Sequence, residues 1–358
     1  MDTGHREHSG VVCRPSNMHE RTDSAPPDQP TGPNDPARKA RRRRIKRLRR
    51  DLAYFVIFMP AIALVSRLPL RVGRFLATVV SRVGYHGARK ERQLALDNLR
   101  QAFPDRSESE LRAICRDNFR CMAWTMVEFL IVRRWSFEKI DRVFQLRDEI
   151  AQLHDAARNG AVAVTGHFGN WELLAGLVAM YHPSRCCAVA RTYSNPRIQE
   201  IIDQTRARYG IDVLYTEDSP RQFIKALRDG KLLGILPDQN VRSPGGIFVP
   251  FFGREAYTST IPVNLARSAK KDVVVALLER DGAGFRVFLE KVAGDWTGDR
   301  DTVLRTATEA WTRKLEERIR EAPAQWVWFH DRWQTRPGDE KKWVEHNWVR
   351  KGRKKRLG

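Results

Sequence analysis

No run of about 18 uncharged apolar residues, the length a helix needs to cross a bilayer, occurs anywhere in the chain, which excludes a multi-pass membrane protein. Cysteine is sparse: Cys13, Cys115, Cys121, Cys186 and Cys187 form no CxxC pair and no zinc-ligand spacing. An odd count with a vicinal pair reads as reduced thiols in a cytoplasm-facing protein, and the apolar run around Cys186 and Cys187 reads as buried packing. There is no P-loop, no GxGxxG after a strand candidate, no GxSxG and no internal repeat. Nucleotide cradles, serine-nucleophile elbows and solenoids therefore lack their signatures. Acidic residues are also short, 43 against 64 Lys and Arg, for a net charge of +21.

What is present suffices for a core. Hydrophobic residues make up 42% of the 358, enough for one large α/β domain or two smaller ones. The excess charge is concentrated at the termini. Between Arg38 and Arg50, 10 of 13 residues are Arg or Lys, and between Arg350 and Arg356, 6 of 7. Removing those 16 charges leaves only +5 for the rest, so the folded body is only mildly basic, which weakens the case for a nucleic-acid groove built into it. Residues 1–37, with Pro26, Pro27, Pro30, Pro33 and Pro36 among polar residues, read as a disordered tail, and residues 339–358 as a basic one.

Leu52–Ser66 is fifteen uncharged residues bracketed by Asp51 and Arg67, too short to span ~30 Å of hydrocarbon. Arg67, Arg71, Arg74 and Arg82 punctuate a further apolar helical pattern through Val80. Basic residues on both sides suit a segment dipping into one leaflet of an anionic surface. An ordinary buried helix is the competing reading. Residues 38–87 are thus expected to form a basic arm and a membrane-associated helical segment.

From Ala88 to Ile131 the pattern is helical, broken at Pro104 and restarted at Ser107 with Glu110 at capping-box spacing. After about residue 150 strands and helices alternate. The strand candidates are Ala161–Thr165, Cys186–Ala190, Ile211–Tyr215, Leu232–Leu236, Val273–Leu278 and Arg286–Leu289. Helical patterns cover Asn170–Tyr181, Pro196–Tyr209, Ser219–Arg228, Thr260–Lys270 and Thr302–Glu321. The expectation for residues 88–338 is an α/β domain with a largely parallel sheet flanked by helices.

The sharpest local feature is Thr165-Gly166-His167-Phe168-Gly169-Asn170-Trp171-Glu172. A strand runs into a glycine-flanked turn holding His167, and Asn170 is a good N-cap for the helix that follows. In α/β folds ligands gather at the carboxyl ends of strands, where His167 would lie. Glu172, in the first helical turn, can fold back toward the imidazole and fix its tautomer. A purely structural histidine is the alternative. Arg191 and Asp238 also follow strand candidates, so one sheet edge would carry all three, with Arg191 placed to grip a phosphate bidentately. Phe248–Phe252 reads as an apolar loop that lines a channel or plugs the core. The stretch with Trp326, Trp328 and Trp333 reads as a strand or a lid without chemistry.

The string HFGNWE resembles the H-x4-D/E motif of the glycerolipid acyltransferase superfamily, and GHFGNWELLAG resembles the late acyltransferases of lipid A biosynthesis, the lauroyl and myristoyl transferases. The resemblance continues through Asn98 and Phe103-Pro104, Arg191, Asn195-Pro196, Asp238-Gln239, Phe248–Gly253 and Gln325–Trp333, most of the chain from about residue 52 to 334. It implies acyl transfer from an acyl carrier protein thioester to a hydroxyl of a lipid A precursor, with neither cofactor nor metal. By motif His167 would be the general base and Glu172 its partner. Arg191, Asp238, Asn170 and Gln239 would bind substrate, Arg191 and Asp238 either holding the headgroup or supporting the dyad. The expected place is the inner membrane, bound to anionic lipid, with the catalytic domain on the cytoplasmic face. The mannoside acyltransferases of mycobacteria share the histidine motif, so another glycolipid acceptor stays open. A nucleic-acid-binding protein is the reading from a different class. It leaves both the Leu52–Ser66 block and the His167 turn unexplained.

Overall fold

Near-continuous apolar runs mark strands buried on both faces, and four of them build the centre of the sheet in the computed structural model. They are β1 (Ala161–Val164), β2 (Cys186–Ala190), β4 (Leu232–Ile235) and β7 (Asp272–Asp281). With β3 (Asp212–Tyr215) and β8 (Gly284–Ala293) they form a six-stranded sheet in the order β3-β2-β4-β1-β7-β8. All neighbours pair in parallel except β7 and β8. The structure describes residues 59–146, 150–153, 158–192, 195–242, 244–282 and 284–339. The expected tail 1–37, the Arg38–Arg50 run, residues 52–58 of the apolar block and the basic C-terminal residues 340–358 lie outside these.

The period-2 alternation of the strands separates two cores. On one face Val162, Val164, Val273, Val275 and Leu277 pack with α8 (Pro220–Arg228), α9 (Ile261–Ala269) and α10 (Arg300–Glu321). On the other, Ala161, Ala163, Val274, Ala276 and Leu278 meet Leu173, Leu174 and Leu177 of α6 (Trp171–Tyr181). Between β2 and β3 runs α7 (Pro196–Tyr209).

Ahead of the sheet come α1 (Met59–Val65), α2 (Leu70–Gly87), α3 (Arg89–Ala102), α4 (Glu108–Val132) and α5 (Phe137–Phe144). The Ser107–Glu110 capping box forms in both halves at the start of α4, as the spacing predicts. No helix among the described residues is long and apolar enough to cross a membrane. α2 buries Gly73, Ala77, Ser81 and Tyr85, one residue per turn, and exposes Val72, Phe75, Leu76, Val79, Val80 and Val83.

Two sequence expectations are corrected here. Phe248–Phe252 is not a loop: β5 (Gly246–Phe251) and β6 (Arg254–Ser259) form an antiparallel hairpin. Phe251 and Phe252 are buried against Trp326 and Trp328, so the segment fills the core. The tryptophan stretch is neither strand nor lid. After a 3-10 turn at Pro323–Gln325 it crosses the core, with Trp326, Trp328 and Trp333 all buried. The apolar–polar alternation suggests a strand or a lid, but three indoles at short spacing can equally be the anchors of an irregular segment.

The topology selects a functional edge. From β1 the chain leaves through α6 toward β2, whereas from β4, which lies beside β1, it leaves the opposite way through α9 to β7. Adjacent strands whose connections depart in opposite directions open a crevice at their carboxyl ends. The residues directly after β1 and β4 are the ones to inspect.

Candidate active site

His167 follows β1 and Asp238 follows β4, and the crevice brings them into contact. Nδ1 of His167 lies 2.8 Å from Oδ1 of Asp238. The backbone N–H of His167 donates to Oδ2 at 2.7 Å, and the indole N–H of Trp326 donates to the same oxygen at 2.9 Å. Three donors converge on one carboxylate that is 1% exposed. With Asp238 an acceptor, the ring proton sits on Nδ1, and Nε2 presents its lone pair. The imidazole is about one quarter exposed. Trp171 stands edge-on to the ring, centroids 5.2 Å apart.

Burial pushes the imidazole toward its neutral form. The Asp238 charge and hydrogen bond, and the charge of Glu172, outweigh burial and raise it above the ordinary histidine value. Burial likewise pushes the Asp238 carboxyl up, but the His167 charge and the converging hydrogen bonds hold it below the usual carboxylate range. The pair is an imidazole whose tautomer is set by a buried carboxylate that favours its ionised form. Such an arrangement is chemically able to take a proton from a hydroxyl brought to Nε2.

The expected partner of His167 was Glu172, and the structure gives that position to Asp238. Glu172 turns toward Arg206, 3.8 Å away, and acts on the ring only through its charge. A residue five positions ahead, in the first turn of α6, points along the helix, while the end of the neighbouring strand faces the ring directly. Asn170 also has another task. It is fully buried, its Oδ1 caps α6 at the N–H of Leu173, and its Nδ2 donates to Glu128. Nothing of it faces the crevice. Gln239 reaches to 3.5 Å from His167 Nδ1, a neighbour of the pair, since that nitrogen's hydrogen goes to Asp238. Arg191 is exposed at the end of β2, on the same edge but one strand beyond β4.

Three contributors escaped sequence reading. Trp326 anchors Asp238, and His330, its ring pushed down by burial, accepts the N–H of Asn240 two residues after Asp238. Arg332, which burial lowers to about 10, holds the hairpin through the carbonyl of Tyr257 and the hydroxyl of Thr258. All lie some 90 residues from Asp238 in sequence, and no local periodicity links them. Gly169 is the residue whose identity the turn dictates. Its φ is +60°, and an added Cβ would stand 2.0 Å from the carbonyl oxygen of Leu278.

Cys115, Cys121, Cys186 and Cys187 are buried and free, and burial pushes Cys115 to about 11 and Cys186 and Cys187 to about 12. Such thiols are not nucleophiles at neutral pH. Among the described residues no group of three His, Cys, Asp or Glu side chains is placed to hold a metal ion.

The profile of a family described as bacterial lipid A biosynthesis acyltransferase matches residues 39–335. A lipid A biosynthesis acyltransferase of Haemophilus influenzae is 30% identical over 253 residues, covering 69% of this chain and 78% of that protein. The lipid A biosynthesis lauroyltransferase of Escherichia coli is 29% identical over 285 residues, with 76% and 89% covered. The lipid A biosynthesis palmitoleoyltransferase of Escherichia coli is 25% identical over 279 residues, again with 76% and 89% covered.

Proposed function

From the premise that this chain belongs to the bacterial lipid A biosynthesis acyltransferase family, and is an acyltransferase of lipid A, we propose that it moves a fatty acyl chain from an acyl carrier protein thioester to a hydroxyl of a lipid A precursor. The observation that carries this reading is the His167–Asp238 pair at the sheet's switch point, its imidazole partly exposed and Nδ1 held by the carboxylate. The acceptor hydroxyl gives its proton to Nε2 as its oxygen attacks the thioester carbonyl carbon. The tetrahedral intermediate then collapses, the C–S bond breaks, and the thiolate leaves with the proton held by His167. No enzyme side chain is acylated. Arg191, exposed on the same edge, suits a phosphate of the acceptor headgroup. Mass spectrometry of lipids from a deletion strain tests the reading: one acyl chain should be missing from lipid A, restored by the wild-type gene but not by a His167 variant. An unchanged lipid A would refute it.

Glu172 contributes charge alone, so Glu172→Gln should cost only several-fold in rate. Its signature is the pH profile. Neutral imidazole is the active form, so activity rises with pH through the raised pKa of His167; losing the Glu172 charge lowers that pKa, and the acid limb should move to lower pH. An unmoved limb would remove Glu172 from the site.

The reading extends to a membrane-bound enzyme on the cytoplasmic face of the inner membrane. Its supports are the exposed apolar row on α2, with Arg67, Arg71 and Arg82 exposed around it, and the basic termini. Replacing Val80 and Val83 together by Glu should release the protein from membranes at high salt, whereas the wild type stays bound; a nucleic-acid binder would be freed by salt in both forms. Single cysteines placed at Gly253 and Arg353 should resist a membrane-impermeant thiol reagent in intact cells. Labelling without lysis would put the domain on the other side.

A further inference from the structure

Behind the catalytic turn, Glu128 of α4 is completely buried among charged partners. Its Oε1 accepts from Arg74 Nε of α2 at 2.7 Å and from Arg280 Nη1, at the end of β7, at 2.6 Å. Its Oε2 accepts from Asn170 Nδ2 at 2.7 Å. Arg280 also donates to Thr125 Oγ1 at 2.8 Å, and that hydroxyl lies 2.8 Å from the carbonyl oxygen of Gly169. Gln325 completes the frame: it exchanges two hydrogen bonds with the backbone of Arg280, and its own carbonyl accepts the N–H of Gly169. One carboxylate therefore joins three elements, of which the turn three residues after His167 is one and α2 another.

A charge this deep has no solvent to fall back on, so its partners fix its position, and it fixes theirs. α2 is seated tightly on α4 beside Arg74. A Cβ on Gly73 would stand 2.4 Å from Ile131 Cδ1, and the indole N–H of Trp124 donates to the Arg74 carbonyl at 2.9 Å. The opposite side of α2 is the exposed apolar row Val72, Phe75, Leu76, Val79, Val80 and Val83. Exposed Arg67, Arg71 and Arg82 on the same segment specify an anionic lipid surface as its cover.

We propose that Glu128 is a positioning residue that couples the seating of α2 on an anionic lipid surface to the geometry of the His167 turn, so that the turn is tightened when the protein is at the membrane. This rests on the reading of α2 as the lipid-facing helix and of His167 as the base. The coupling needs a differential interaction: lipid holds α2 in the position at which Arg74 reaches Glu128, and only there does Oε1 receive Arg74 as a second charged donor beside Arg280. It confines the base's best alignment to the surface where an amphipathic acceptor is found.

The test is amide hydrogen exchange of the whole protein with and without phosphatidylglycerol vesicles, on the wild type, Glu128→Gln and Arg74→Gln. Arg74→Gln leaves Glu128 paired with Arg280 and Asn170, which guards against an unfolded Glu128 variant. In the wild type, vesicles should slow exchange in α2 and also at Gly169 and Asn170, the latter by about fivefold or more. In both variants α2 should still be protected and the turn should no longer respond. kcat on vesicle-borne acceptor should fall with vesicle affinity unchanged. A turn that ignores vesicles in the wild type, or responds equally in both variants, overturns the coupling. Exchange of the His167→Gln protein separates the two claims, because its turn should respond to vesicles whether or not His167 is the base.

Discussion

His167→Gln is expected to lower acyl transfer by about 10²–10⁴ while keeping the melting temperature near that of the wild type. The glutamine amide has the reach of Nε2 rather than of Nδ1, but its flexible chain can turn the NH₂ back to donate to Asp238, which Nδ1 now contacts, and it offers no basic nitrogen to the acceptor. His167→Ala should lose as much activity and, in addition, stability, because it strips one partner from a carboxylate that solvent does not reach. The contrast isolates the chemistry from the packing. A structural histidine would give the reverse ranking, with Gln nearly active and Ala merely unstable. A pH signature accompanies the loss. Because His167 is raised in the folded protein, its contribution to stability is fully present below the unfolded value of about 6.5 and disappears as pH climbs through the folded one. Urea titrations at a series of pH values should show this slope in the wild type and not in His167→Gln. Full activity in the glutamine variant would sink the assignment.

What the sequence made legible followed local rules. AVAV before His167 and LLGI before Asp238 are strands, Asn170 and Ser107 are caps, and Pro104 ends a helix, because each depends on residues within one turn or one strand. Placing His167, Asp238 and Arg191 on one edge needed only the βα alternation. The pairing itself was not legible. Glu172 is five residues from His167 and Asp238 is seventy-one, and only the strand order, with β4 beside β1, puts the distant carboxylate against the ring. The same limit hid Trp326 and Glu128, which reach the turn through tertiary contacts alone. The hairpin at Gly246–Ser259 escaped because its apolar run, GIFVPF, carries Pro250, which reads as a break in a strand.

Asp238→Asn should cost nearly as much as removing the imidazole, and through the proton rather than the shape. The carboxylate receives three donors: the ring Nδ1–H at Oδ1, and the His167 N–H and Trp326 indole at Oδ2. An asparagine has one acceptor and one NH₂. Placing NH₂ at the Oδ2 site would set it against two fixed donors, so it must occupy the Oδ1 site and donate to Nδ1. The ring is then forced to carry its proton on Nε2, where it cannot accept one from a hydroxyl. In serine proteases the same tautomer reversal costs about 10⁴ in kcat with the geometry intact, and a loss of about 10³–10⁴ is expected here. Glu172→Gln, by comparison, leaves the tautomer alone and stays within several-fold. Nitrogen NMR of the imidazole reads the outcome directly: Nδ1 protonated in the wild type, Nε2 protonated in Asp238→Asn. If the variant keeps wild-type rate and tautomer while Glu172→Gln is inactive, Glu172 is the true orienting partner and the strand-end carboxylate only a support.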